Sequence, residues 1–289
     1  MSAAEGSWGR VERLDAGRMA VEVERATGVR VVVEGPCSGG EVGAAFVRWE
    51  DGRRGVLKWR PGTTVAELQA GPLAVVDVLR SVGYPAPATD FSAPVGDAVV
   101  TIQELLPGST VDRLDEAMLD QALVLNELQA GVLAERPDIP TVSLYLTDDG
   151  PGFCLHGPLR AHSRRTAKLE SWIAEVGAAH PRELAGDDAM HLDFHPGNLL
   201  ALDGKLTGVI DWDGAARGDR RLDLVTLRFG ARLDSTAAAR LDELLDSFPE
   251  DVLRPLWAHM SLRMVDWAIR HFTPAEVDHW VTFAERRTD

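Results

Sequence analysis

The stretch His191-Leu-Asp-Phe-His-Pro-Gly-Asn198, continued by Leu199-Leu-Ala-Leu202, Asp203-Gly204, Lys205-Leu-Thr-Gly-Val-Ile210 and Asp211-Trp-Asp213, decides how the rest of the chain is read. Leu199–Leu202 and Leu206–Ile210 are short apolar runs joined through Asp-Gly, a strong signal for a tight hairpin turn. In such a hairpin opposed residue numbers sum to about 407, so Asn198 faces residue 209 and Asp211 faces residue 196. The two side chains become diagonal neighbours at the open end, ~7–8 Å apart between Cα atoms. Two oxygen donors so placed suit Mg2+, which takes oxygen ligands and keeps positions for water and phosphate. Asp193 lies on the loop that feeds the hairpin and faces the same point. A carboxylate beside a metal–phosphate site is the minimal equipment for phosphoryl transfer to a hydroxyl. Alternating His191, Asp193 and His195 also fit Zn2+, a reading that leaves Asn198 and Asp211 without a role.

Upstream, Val29–Val33, Gly43–Trp49 and Gly55–Trp59 read as strands, with Asp51-Gly52 turning the last two and Lys58 on the second arm. Residues 63–82 have helical spacing interrupted by Gly71-Pro72, and Ala98–Ile102 is another strand. From Leu114 to Val132 and again beyond Asp234 the pattern is helical, ending in the capping box Thr273-Pro-Ala-Glu276. The layout is α+β: a loose tail (1–7), a β-rich N-terminal lobe (8–106) and a mainly helical C-terminal lobe (107–289). Residues 136–187 carry little legible pattern. Trp257, Trp267 and Trp280 read as core, and His191 reads as a buried imidazole supporting its loop. Asp213 reads as a turn cap or as an aid to the metal, and Asp219 and Asp223 as braces that accept backbone N–H groups.

A chain of 289 residues with 45% hydrophobic and 26% charged residues has ample core for two lobes sharing a cleft. No apolar run approaches the roughly 18 residues that span a bilayer. A net charge of −15 speaks against sequence-independent nucleic-acid binding and for a small cationic partner. Cys37 and Cys154 have no metal-type spacing, which fits a reducing, cytoplasmic setting without a structural disulfide. Among 30 basic residues only Lys58, Lys168 and Lys205 are lysines, and a chain so committed to arginine keeps a lysine where a compact charge is wanted. Lys168 and Lys205 read as solvated surface.

The run H-L-D-F-H-P-G-N followed by V-I-D-W-D closely resembles the catalytic loop and metal-binding segment of the aminoglycoside phosphotransferase family, and Gly218-Asp219 with Leu222-Asp-Leu224 extends the match. The resemblance is strong over 190–225, covers about 28–285 more weakly, and implies a protein-kinase-like two-lobe fold. It implies ATP (or GTP) and Mg2+ as cofactors, with Asp193 orienting the acceptor hydroxyl and Asn198 and Asp211 as magnesium ligands. Lys58 would hold the nucleotide phosphates, beside the loop bearing Ser38, Gly39 and Gly40. Glu104 and Leu106 would meet the adenine edge, with Gln103 behind them. The family's helix acid, paired with the lysine, would fall at Pro72, which cannot serve; Glu67 is the choice upstream and Asp77 the alternative downstream. The expected activity is transfer of a γ-phosphoryl group to a hydroxyl of a cationic antibiotic, either an aminoglycoside or a tuberactinomycin peptide such as viomycin or capreomycin. Asp148, Asp149, Asp266, Glu276 and Asp278 are candidates for its binding wall. The alternatives are a metabolite kinase for choline, ethanolamine, homoserine or a ketosamine, and an inactive nucleotide-binding relative. A monomer or weak dimer is expected.

Overall fold

β-Branched and aromatic residues recur at strand spacing through the first third of the chain, and these runs fold as one antiparallel sheet. The computed structural model describes residues 15–37, 43–230 and 233–288, so the tail expected at 1–7 lies outside the described residues. β1 (Val31–Pro36), β2 (Ala44–Trp49), β3 (Arg54–Pro61), β4 (Thr89–Val95) and β5 (Ala98–Glu104) lie in the order β1-β2-β3-β5-β4. β5 is buried along nearly its whole length, as a near-continuous apolar strand should be. A helix that the sequence reading did not foresee, α1 (Ala16–Thr27), lays Met19 and Val23 against this sheet. The helical stretch after β3 is two helices, α2 (Val65–Ala70) and α3 (Pro72–Ser81). Proline lacks an N–H to continue α2, but fits the first turn of α3.

The chain leaves the sheet at Glu104, and β6 (Ser109–Thr110) pairs instead with a strand of the C-terminal half. There follow α4 (Glu116–Glu127), β7 (Val142–Ser143), α5 (His156–His162), α6 (Arg164–Ala179), β8 (Glu183–Leu184) and β9 (Asp188–Met190). Then come β10 (Leu199–Leu202), β11 (Lys205–Val209), β12 (Ala216–Gly218) and four helices: α7 (Arg221–Phe229), α8 (Ser235–Asp246), α9 (Glu250–His271) and α10 (Pro274–Ala284). The capping box Thr273–Glu276 opens α10, and Trp257 and Trp280 are buried in the helical core. Trp267 is only partly buried and stacks on His271 at 3.9 Å. Among the described residues, no helix is long and apolar enough to cross a membrane.

α9 carries a fully enclosed imidazole into this core. His259 Nδ1 donates to the Leu144 carbonyl at 2.5 Å, and burial pushes the group down to about 4. Above the ordinary value of 6.5 the ring is neutral folded or unfolded; below it, the unfolded chain takes up a proton that the folded chain refuses. Between about pH 7 and pH 4 the wild type is expected to lose on the order of 3 kcal/mol more stability than His259→Asn, whose amide keeps the donor. Denaturant melts across that window check this, and parallel curves for the two proteins would refute it.

Candidate active site

The Asp-Gly hairpin forms, with Asp203 and Gly204 at φ values of 50° and 76°, the left-handed pair of a type I′ turn. Gln121 of α4 holds that turn by donating to the Gly204 carbonyl and accepting from Leu206 N–H. The register, however, shifts. Leu202 pairs with Lys205 and Ala201 with Leu206, but Leu200 pairs with Gly208 and Leu199 with Val209. Thr207 is the extra residue, a bulge whose hydroxyl donates to the Pro107 carbonyl at 2.5 Å. Asn198 therefore faces Ile210, whose N–H donates to the Asn198 carbonyl, and not residue 209 as the unbulged hairpin required. Asp211 follows in the left-handed region at φ 68°. Its turn is held by Trp212, a buried ring that donates to the Val209 carbonyl and packs on Tyr84 and His191.

Opposite the hairpin runs the loop 191–198. His191 is completely buried, and burial pushes its ring toward the neutral form. Its Nε2–H donates to the Ile210 carbonyl at 2.8 Å while Nδ1 accepts from Asp193 N–H at 3.2 Å. With both nitrogens taken by backbone, the zinc reading of His191, Asp193 and His195 fails. Leu192 adopts φ 66°, a conformation that costs a residue with a side chain roughly 1–2 kcal/mol. Two groups hold it there. Asp223, wholly buried on α7, accepts from the N–H groups of His191 at 2.7 Å and Leu192 at 2.8 Å, and Arg263 of α9 donates to the Leu192 carbonyl. Gln129 completes the Asp223 carboxylate at 2.9 Å.

Asp193 is thus presented with each carboxylate oxygen engaged: Oδ1 by Arg263 at 2.7 Å, Oδ2 by the Asn198 amide at 3.0 Å and by His195 Nε2 at 3.3 Å. Burial alone would raise its pKa; the His195 hydrogen bond and the Arg263 charge outweigh it and hold the carboxyl well below the usual range. Asn198 spends its NH2 on Asp193, leaving its carbonyl oxygen as the group available to a cation. Among the described residues, no three His, Cys, Asp or Glu groups converge as a ready metal cage. One amide oxygen and one carboxylate instead suit Mg2+ delivered with phosphate and water.

Across the cleft, Lys58 on β3 reaches Asp211 at 2.5 Å and Asp213 at 2.7 Å. Burial works to raise the Asp211 carboxyl, but the Lys58 charge prevails and lowers it. Arg60, two residues on, also pairs with Asp213. Glu67 does not meet Lys58: it closes the capping box of α2, accepting from Thr64 N–H at 2.7 Å and from the hydroxyls of Thr63 and Thr64. Gln103 is buried in β5, and the Glu104 carboxylate is bonded to Arg80 and to Ala88 N–H. The Leu106 side chain packs so closely on Gly208 that a Cβ there would approach it to 2.7 Å, so this linker lies directly on the hairpin. Ser38, Gly39 and Gly40 lie outside the described residues.

The five acids expected to form the cation-binding wall each have partners within the chain. Asp266 is wholly buried, bidentate with Arg270 and accepting from Leu155 N–H. Asp148 pairs with Arg182, Asp278 with Arg165, Asp149 accepts from His156 N–H, and Glu276 caps α10. Three of the five are answered by arginine side chains and the other two by backbone N–H or hydroxyl donors. Reading the sequence missed Arg263, which lies 70 positions from Asp193 with no local signal. The turn-capping role expected of Asp213 gives way to ion pairs with Lys58 and Arg60.

A model of the phosphotransferase enzyme family matches residues 35–260, whereas no curated protein matches the chain. Among solved structures, the chain is similar to a thermostable mutant of aminoglycoside phosphotransferase APH(4)-Ia in its apo form, at 18% identity and TM-score 0.67 over 93% of this chain and 97% of that one. A ternary complex of such a mutant with AMP-PNP and hygromycin B superposes at TM-score 0.66, with 17% identity over 95% and 97%. A putative fructosamine-3-kinase from Haemophilus somnus 129PT gives 0.57, with 10% identity over 92% and 96%. At these identities the structures share the fold.

Proposed function

The chain belongs to the phosphotransferase enzyme family, and from that premise we propose that it transfers the γ-phosphoryl group of ATP or GTP to a hydroxyl of a small molecule. The observation that carries this reading is the Asp193–Asn198 hydrogen bond facing the Lys58–Asp211 ion pair, which sets an anionic acceptor-orienting group against a phosphate-binding cation. Asp193 accepts the hydroxyl hydrogen bond and aims the oxygen at the γ-phosphorus. The new O–P bond forms as the bond to the β–γ bridging oxygen breaks, the nucleoside diphosphate leaves, and the hydroxyl proton passes to Asp193 late in the transfer. A carboxylate held so acidic orients better than it abstracts, which suits a loose transition state in which the proton moves late. Lys58 stabilises the charge that develops on the phosphate oxygens. Asn198 and Asp211 would hold Mg2+, which would supply charge neutralisation for the transferring phosphoryl group.

For the acceptor we propose a cationic antibiotic, an aminoglycoside or a tuberactinomycin peptide, met in the cytoplasm by a monomer or weak dimer. A net charge of −15 and the fold shared with a hygromycin B complex support this reading. The alternative is a metabolite kinase for choline, ethanolamine, homoserine or a ketosamine; these acceptors also carry a cationic nitrogen, so charge alone does not separate the two readings. Mass spectrometry after incubation with Mg2+, nucleotide and each candidate acceptor distinguishes them. A gain of one phosphate on an antibiotic is expected. A gain confined to ketosamines, choline, ethanolamine or homoserine would overturn the antibiotic reading, and no acceptor-dependent nucleotide turnover with any would overturn the enzyme.

A further inference from the structure

The acid that faces Lys58 comes from the wrong lobe for a lysine–helix pair. Lys58 and Arg60 are two apart on β3 and so project from the same face of the strand. Both end on Asp213, which follows the hairpin of the C-terminal half. The helices of the N-terminal lobe offer nothing in exchange: Gly71-Pro72 breaks the helix, Asp77 is exposed, and Glu67 is bound into its own cap. An open cavity lined by Arg60, Thr63, Glu67, Pro72 and Asp213 lies between that cap and the cations.

The geometry points to Asp213 as the residue that positions Lys58 for the nucleotide, in place of a helix carboxylate, with Arg60 as the second cation on the same anchor. This rests on the phosphotransferase reading above. Asp211 cannot do both jobs, because a carboxylate committed to a divalent cation gives up its hold on an ammonium. Asp213 stays behind when Asp211 is drawn away. It is fixed by its neighbour Trp212, buried and hydrogen-bonded to Val209, and by the packing of this turn on α3. Charge supports the division. Lys58 and Arg60 balance Asp211 and Asp213 as they stand. Once a metal answers Asp211, one positive charge is left over on Lys58, Arg60 and Asp213, and it lies beside the phosphates.

Titration of a non-hydrolysable ATP analogue with Mg2+ into the purified protein, together with steady-state kinetics, tests the assignment. Asp213→Asn is expected to weaken nucleotide binding about tenfold or more and to raise the KM for nucleotide while that for the acceptor stays within about twofold. Asp213→Glu should recover most of the affinity, which a role in packing alone would not predict. Thermal melts of each variant separate loss of folding from loss of binding. Should Asp213→Asn bind nucleotide as the wild type does while Glu67→Gln loses affinity, the helix acid is the partner and the assignment to Asp213 is wrong. Failure of the wild type itself to bind nucleotide would instead overturn the functional reading, and this inference with it.

Discussion

Asp193→Asn is expected to lower kcat by on the order of 10²–10⁴-fold while nucleotide affinity stays within about twofold. The substitution keeps the size of the side chain but replaces an acceptor oxygen with an NH2. In the native loop both oxygens are used, Oδ1 by Arg263 and Oδ2 by Asn198 and His195. An amide cannot accept from both sides, so either Arg263 or Asn198 loses its partner and the acceptor hydroxyl meets a donor. On the proposed reading the nucleotide phosphates are held by Lys58, which has no bond to Asp193 to lose. Assays of product formation beside direct nucleotide titration check both halves. A variant with undiminished turnover would remove Asp193 from the chemistry.

Asp223→Ala is expected to cost about 3–4 kcal/mol of stability and to abolish turnover as well. This carboxylate is wholly buried and accepts from His191 N–H, Leu192 N–H and Gln129. Removing it leaves three buried donors without an acceptor, each an unpaid desolvation. Leu192, held in a left-handed conformation, then has only the Arg263 contact to keep it there. Burial favours the neutral form of Asp223, and the charges and hydrogen bonds around it oppose that. The measured quantity is the melting temperature, with a fall of roughly 10 °C expected at this chain length. A fall of a degree or two, with activity retained, would show that the loop is held by other contacts.

How much of this was readable beforehand follows from how far each cause lies along the chain. The Asp203-Gly204 turn, the proline break at Pro72 and the Thr273–Glu276 cap are written within a few residues, and each forms. Lys58 stood out because lysine is scarce, and it faces Asp211. Asp223 bracing the 191–198 loop was legible from the need of a buried carboxylate for N–H donors. The Thr207 bulge was not, since its cause is a hydroxyl reaching a carbonyl 100 residues away. Asp266 on Arg270 is an i,i+4 pair along α9 that the spacing carries, but Asp278 on Arg165 is decided by helix packing across 113 positions that no local pattern records. The stretch 136–187 looked shapeless because α6 starts directly after α5, with Ser163 as the only residue between them. Its spacing of Leu169, Trp172, Ile173 and Val176 is helical all the same, and these residues are buried.

The bulge at Thr207 divides the hairpin into two independently tuned ends. Residues on the tip side keep the count dictated by the two-residue reversal, whereas those nearer Asn198 and Asp211 are offset by one. Lengthening both arms equally at the tip therefore leaves Asn198 opposite Ile210. Excising Thr207 would restore an unbroken ladder, with Leu200 still opposite Gly208 and Asn198 still opposite Ile210. What would be lost is the hydroxyl anchored on the Pro107 carbonyl, and with it a tie between the ribbon and the segment that leaves the N-terminal sheet.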